Sequence, residues 1–114
     1  NRKGDYDKSL DYYKRSLVIC EELGYKSGIG YNLSNIGVVH ANKRDYNKAL
    51  DYTGRALAIK EELGDKYGIN ELNKRFDNLN SRLELRKKLF LILMAILTFS
   101  SLFTIYKIFI YLRS

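Results

Sequence analysis

Apolar residues recur at intervals of three and four along most of the first 86 positions. Tyr6, Leu10, Tyr13 and Leu17 form one stripe, closed by Leu23 just before Gly24. Ile29, Leu33, Ile36 and Val39 form a second, and Tyr46, Leu50, Leu57, Ile59 and Leu63 a third. A period near 3.6 marks amphipathic helices. Strand-type alternation is missing and the chain has no proline, so the fold class read from the pattern is all-α. Gly24 and Gly64 follow the last apolar residue of a helix, where a left-handed residue ends the helix and glycine carries no Cβ penalty. Asp5 and Asp45 stand ahead of helices, where a carboxylate can accept from the unpaired amides of the first turn. The predicted helices are about 5–23, 27–41, 46–63 and 66–86, with an apolar helix over about 86–112 continuing from the last.

The pattern also repeats itself forty residues on. Asp5-Tyr6-Asp7-Lys8-Ser9-Leu10-Asp11-Tyr12 returns as Asp45-Tyr46-Asn47-Lys48-Ala49-Leu50-Asp51-Tyr52. Cys20-Glu21-Glu22-Leu23-Gly24 returns as Lys60-Glu61-Glu62-Leu63-Gly64, and Gly28-Ile29 as Gly68-Ile69. Self-similarity at this period is the sign of a solenoid, whose units bury apolar surface only against their neighbours. The chain opens at Asn1, partway into a repeat, so an upstream helix is expected to be missing. Three segments result: truncated repeats over 1–68, a capping or linker helix over 69–88, and an apolar helix over 89–112.

The third repeat breaks down. After Gly68-Ile69 the Leu-Ser-Asn-Ile-Gly of the previous unit becomes Asn73-Lys74-Arg75-Phe76-Asp77. Ile69, Leu72, Phe76, Leu79 and Leu83 then fall at alternating three- and four-residue spacing, a coiled-coil seam of about two heptads. The same stripe suits a helix capping the solenoid or a stalk that pairs with a second copy through residues 69–83.

Eighteen residues without a charge run from Leu89 to Tyr106, followed after Lys107 by Ile108-Phe109-Ile110-Tyr111-Leu112. Eighteen helical residues cover about 27 Å, close to the roughly 30 Å hydrocarbon core of a bilayer. Tyr106 and Tyr111 suit the interface, and Lys107 can snorkel. The competing reading, a buried core helix, meets a solenoid of barely two repeats with no cavity for a helix apolar on every side. A single membrane span is therefore expected.

Charge supports this. The formal net charge is +7, yet all thirteen acidic residues lie between Asp5 and Glu84, and residues 1–84 hold fifteen Lys and Arg that nearly balance them. The remaining cations, Arg86, Lys87, Lys88, Lys107 and Arg113, flank the apolar run, where anionic lipid attracts them. Nucleic acid is not an expected partner; the lipid bilayer is. More cations precede the span than follow it, which by the positive-inside rule puts the repeats in the cytoplasm.

Candidate chemistry is sparse. A nucleophile needs a positioned base, and His40 is the one histidine. The single Cys20 excludes a disulfide framework and a multi-cysteine metal site. Gly24, Gly28 and Gly30 around Lys26-Ser27 lack the order and spacing of a phosphate-binding loop. Glu21-Glu22 and Glu61-Glu62 recur with the repeat and read as solvated surface. No catalytic residue, metal site or cofactor is expected, and the chain is not expected to be an enzyme.

Leu33-Ser34-Asn35-Ile36-Gly37-Val38-Val39-His40, followed by Ala49 and Ala56, resembles the tetratricopeptide repeat. Leu33 takes the usual Trp position, Ile36-Gly37 the Leu-Gly pair, and His40 the aromatic. Ala49 and Ala56 take the small positions, as Ser9 and Ser16 do upstream, with Tyr13 and Thr53 at the Phe position. Glu61 stands where the family often has proline. The stretch 61–69 looks like the forty-residue variety common in bacterial signalling proteins. The resemblance covers about residues 1–70. It implies a concave groove lined by the first helix of each repeat, which binds a protein or peptide. Asn35 holds the position that often bonds a bound backbone, and Arg75 is its equivalent one repeat later, able to grip a carboxylate. Tyr31, Val38 and Asn42 would share the face. The order of repeats and span resembles bacterial inner-membrane sensors whose repeats are periplasmic. The implied role is a membrane-anchored scaffold or sensor part of a signalling protein; the alternative is a tail-anchored adaptor recruiting soluble partners from the cytosol.

Overall fold

The computed structural model describes residues 2–114; Asn1, where the repeat segment was drawn to begin, lies outside them. Four helices follow one another: α1 (Arg2–Leu23), α2 (Lys26–Asn42), α3 (Tyr46–Leu63) and α4 (Lys66–Arg113). The fold is all-helical, a short repeat of antiparallel pairs leading into a long C-terminal helix. The chain divides into two compact units at Leu83, and each is described by itself.

In the first unit the helix ends follow from local chemistry. Gly24 and Gly64 sit at φ 65° and 66°, the left-handed positions predicted from their place after Leu23 and Leu63. Asp45 caps α3, its carboxylate accepting from the Lys48 amide at 3.4 Å. Asp65, which the sequence reading passed over, caps α4 by accepting from the Gly68 amide at 2.9 Å. That bond and the Lys60 ammonium hold the Asp65 carboxyl below its usual range. Asp5 is the exception: α1 already runs from Arg2, so Asp5 lies inside the helix and caps nothing. The equivalent residues 43–45 break into a turn because α2 arrives there, and Arg44 takes φ 61° to make it. No helix among the described residues turns into α1.

The core is shared by Leu10, Leu17, Leu33, Ile36, Val39, Ala56 and Leu72, with Tyr6, Tyr13, Ile29, Tyr52, Leu57 and Ile59 packed around it. The first two predicted stripes therefore face inward. The third does so only in part. Ala49, Thr53 and Ala56 are the fully buried residues of α3, while Leu50, Leu57 and Ile59 are half-buried and Leu63 is exposed. Close helix approach explains the exchange: a Cβ on Gly37 would stand 3.0 Å from Thr53 Oγ1 and 3.4 Å from the Ala49 carbonyl. Small side chains mark where helices cross, and larger ones fill the flanks.

Three polar residues, Asn32, His40 and Thr53, enter this core. Asn32, 2% exposed, donates from Nδ2 to the Gly28 carbonyl at 2.9 Å and to Ser16 Oγ at 3.0 Å. Burial without such partners would cost on the order of 1–3 kcal/mol. On α4, Leu72, Leu79 and Leu83 are buried and Ile69 and Phe76 half-buried. The seam residues are thus spent inside the unit, covering the repeat.

The second unit, Glu84–Ser114, is helical to Arg113, and every side chain in it is exposed. Three hydroxyls within the apolar run bond back to the helix. Thr98 donates to the Met94 carbonyl at 2.8 Å, Ser101 to Leu97 at 3.0 Å and Thr104 to Ser100 at 2.9 Å. These three hydroxyls and the helical backbone are therefore satisfied within the segment, as an apolar solvent demands. By length and composition this helix is able to cross a membrane.

Candidate peptide groove and apolar segment

A groove of about 360 Å³ opens on the first unit between α2 and the start of α4. Val38 and Ala41 line it from α2; Glu71, Lys74, Arg75, Asn78, Leu79 and Arg82 line it from α4. The α4 residues explain themselves by spacing. Positions 71, 75, 78 and 82 recur every three or four residues and form one helical face, turned from the Leu72, Phe76 and Leu83 stripe. Three cations and one carboxylate leave the groove formally at +2. Glu71 and Lys74 approach to 3.8 Å, a weak exposed pair.

Arg75 is held in place. Its guanidinium donates to Ser34 Oγ at 2.8 Å, tying α4 to α2. One bond to a neutral hydroxyl leaves the rest of the fork free to meet a carboxylate. Asn35 is half-buried, and its Nδ2 has no hydrogen-bond partner.

Of the five residues nominated from the sequence, Val38 and Arg75 meet in this groove. Tyr31, 62% exposed, and Asn42, also exposed, lie on α2 outside its lining, as does Asn35. Sequence reasoning missed Lys74, Asn78 and Arg82. Their helical spacing from Arg75 was the available signal.

His40 behaves as a packing group. It is 5% exposed and stacks on Tyr52 with ring centroids 5.5 Å apart and planes at 15°. Burial pushes its pKa below the usual 6.5; Asp45 pulls the other way, and Lys48, Lys43 and Lys14 add to the lowering. Below pH 6.5 the unfolded chain takes up this proton before the folded one. Stability is therefore full above pH 6.5 and is lost as pH falls through the folded-state pKa. His40→Phe, which keeps the stacking and removes the proton, is expected to flatten the unfolding midpoint between pH 7 and 5. An unchanged acid slope in that variant would assign the dependence to carboxylates instead.

In the second unit the nominated cations are all exposed. Lys87 lies 3.4 Å from Glu84. Lys107 places its ammonium 4.8 Å from the Phe103 ring centre and Arg113 its guanidinium 6.0 Å from Phe109. An ammonium resting on a ring face keeps favourable electrostatics while its stem lies along apolar surface. Arg86, Lys87, Phe90 and Leu91 surround a shallow cleft of about 420 Å³ where the basic run meets the apolar one.

Comparison with known proteins bears on the repeats. The family model described as tetratricopeptide repeat matches residues 1–62, more than half of the chain. No curated protein matches the chain, and no solved structure does.

Proposed function

The chain belongs to the tetratricopeptide repeat family, and on that premise we propose that it is a membrane-anchored module holding an acidic peptide or protein segment in the groove between α2 and α4. Tetratricopeptide repeats are units of protein–protein interaction rather than of catalysis. The observation that carries the reading is the groove: an apolar floor of Val38, Ala41 and Leu79 beneath Lys74, Arg75 and Arg82. A floor of that kind takes a small apolar side chain, and the cations take carboxylates on either side of it. Charge-assisted bonds of this sort contribute roughly 1.5–3 kcal/mol each.

Arg75 is the central recognition group, with Lys74 and Arg82 beside it in the groove; Asn35, which the family resemblance puts forward, lies outside the lining. The role of the apolar segment is to keep this groove at a bilayer, with Arg86, Lys87 and Lys88 against anionic headgroups on one side and Lys107 and Arg113 on the other. Such a protein serves as the sensory or scaffolding part of a signalling system. The charge distribution supports a second reading, a tail-anchored adaptor, because six cations from Lys74 to Lys88 precede the apolar run and two follow it. A dimer through residues 69–83 would have to draw Leu72, Leu79 and Leu83 out of the core, so the groove is assigned to a single copy.

The test uses the 114-residue chain in detergent micelles and a fluorescent decapeptide rich in Asp and Glu. Arg75→Ala is expected to weaken its capture at least about tenfold, the lower end of a lost charge-assisted bond, and Asn35→Ala by less. Both variants are expected to keep wild-type thermal midpoints within a few degrees. Equal capture by wild type and Arg75→Ala, or capture that ignores salt, would remove the groove from the proposal.

A further inference from the structure

The cations at the two ends of the apolar segment are disposed differently. Each Cα–Cβ bond of a helix tilts toward the N-terminus, so long side chains lean over the preceding turn. At the end that begins the run, this lean carries a cation away from the apolar residues. Lys87 follows it, with its ammonium 3.4 Å from the Glu84 carboxylate three residues back. At the far end the lean carries cations over the run instead. Lys107 rests its ammonium 4.8 Å from the Phe103 ring centre and Arg113 its guanidinium 6.0 Å from that of Phe109, each four residues back. Those two cations already face the negative surface of a ring.

Arg86 and Lys87 line a cleft with Phe90 and Leu91. The spacing makes the four a single patch of helix surface, because 90 lies one turn below 86 and 91 one turn below 87. Phe90 and Leu91 are 60% and 66% exposed. The patch therefore has a doubly cationic head and an apolar body. Lys88, next in sequence, lies outside the lining. An amphiphile with an anionic head complements such a patch. Guanidinium offers its planar fork to two phosphate oxygens at once, and the lysine adds a point charge. An acidic peptide fits less well, since Phe90 and Leu91 offer its backbone no hydrogen-bond partner. Glu84 competes with a phosphate for Lys87, but an exposed pair of this kind contributes little.

We propose that Arg86, Lys87, Phe90 and Leu91 form a site for one anionic glycerophospholipid, with its phosphate on the two cations and the start of an acyl chain along Phe90 and Leu91. This rests on the membrane-anchor reading given above and deepens it. The anchor acquires a lipid preference at one end of the segment, where the cations face a cleft, and none at the end where they face rings.

The probe is phosphatidylglycerol in bilayer discs that also hold phosphatidylcholine. The 114-residue chain is inserted in them, and the lipids it retains are identified by native mass spectrometry. One phosphatidylglycerol per chain is expected, preferred over phosphatidylcholine at least about tenfold for two cations at the headgroup level. Arg86→Gln is expected to lower that preference about fivefold, the effect of one cation. Lys88→Gln and Lys107→Gln remove the same charge from outside the cleft and are expected to leave it unchanged. Phe90→Ala is expected to reduce retention, and Glu84→Gln, which releases Lys87, to raise it. Equal losses in Arg86→Gln and Lys88→Gln would reduce the site to diffuse attraction and overturn it. Displacement of the lipid by inorganic phosphate would overturn it too, because phosphate has no chain for Phe90 and Leu91 to hold. A chain that inserts and retains both lipids alike overturns this inference and leaves the anchor standing. A chain that stays out of the discs overturns the anchor as well.

Discussion

Ile36→Ala is expected to unfold most of the repeat unit at temperatures where the wild type is intact. Ile36 is 0% exposed and sits among Leu10, Leu17, Leu33, Val39, Ala56 and Leu72, residues drawn from all four helices. Truncating a buried Ile loses the transfer free energy of the removed carbons and leaves a cavity, together roughly 2–5 kcal/mol. The upper half applies here because the surrounding helices cross on small residues: Gly37 already stands against Thr53 and Ala49, so they cannot close further to fill the space. A unit of about eighty residues holds only roughly 4–12 kcal/mol in total. Tyr31→Ala, on the same helix but 62% exposed, is expected to change stability by less than about 0.5 kcal/mol. Hydrogen exchange of α2 and α3 amides, measured on the 114-residue chain in micelles, separates the two variants. Similar exchange in both would mean that Ile36 does not hold the helices together.

How much of this was readable beforehand depends on whether a feature is local or shared between helices. The left-handed glycines and the Asp45 cap were legible because each needs only its own helix end. The inward stripes of α1 and α2 were legible because periodicity reports a buried face directly. The third stripe misled for a physical reason: periodicity was scored on large residues, while α3 meets α2 through Ala49, Thr53 and Ala56. Those positions were visible only through the resemblance, which marks them as small. Asp5 was misread because its sequence suits a cap, yet a cap forms only where the chain turns into a helix. The groove was the least legible feature. Arg75 came from register with Asn35, but Lys74, Asn78 and Arg82 become neighbours of Val38 and Ala41 only once α4 lies beside α2. The Arg75–Ser34 bond, between residues 41 apart, is likewise a property of that packing and of no shorter stretch of sequence.

Leu93→Arg together with Leu97→Arg is expected to release the chain from the membrane. Eleven Leu, Ile and Phe residues lie between Leu89 and Tyr106, and at roughly 0.3–0.6 kcal/mol each they favour insertion by about 3–7 kcal/mol. An arginine near the helix centre costs about 2.5–3.5 kcal/mol on the same scale, so two of them cancel the whole of it. Residues four apart fall on one face, so a helix that spans carries both guanidiniums into the hydrocarbon, while a helix lying at the surface can turn both to water and is no longer an anchor. Leu97 stands at the middle of the run, farthest from either end, where a side chain cannot reach water as that of Lys107, resting on the Phe103 ring, would near the other end. The measurement is the fraction of protein retained in the membrane pellet after an alkaline carbonate wash. Ile108→Arg, beside Lys107, serves as the control and is expected to be retained like wild type, since snorkelling is cheap at that depth. Retention of the double variant at wild-type levels would mean that a protein partner covers the apolar segment. Its exposed side chains would then be an interface with that partner, and the anchor would be lost from the proposed function while the groove on the repeat unit remained.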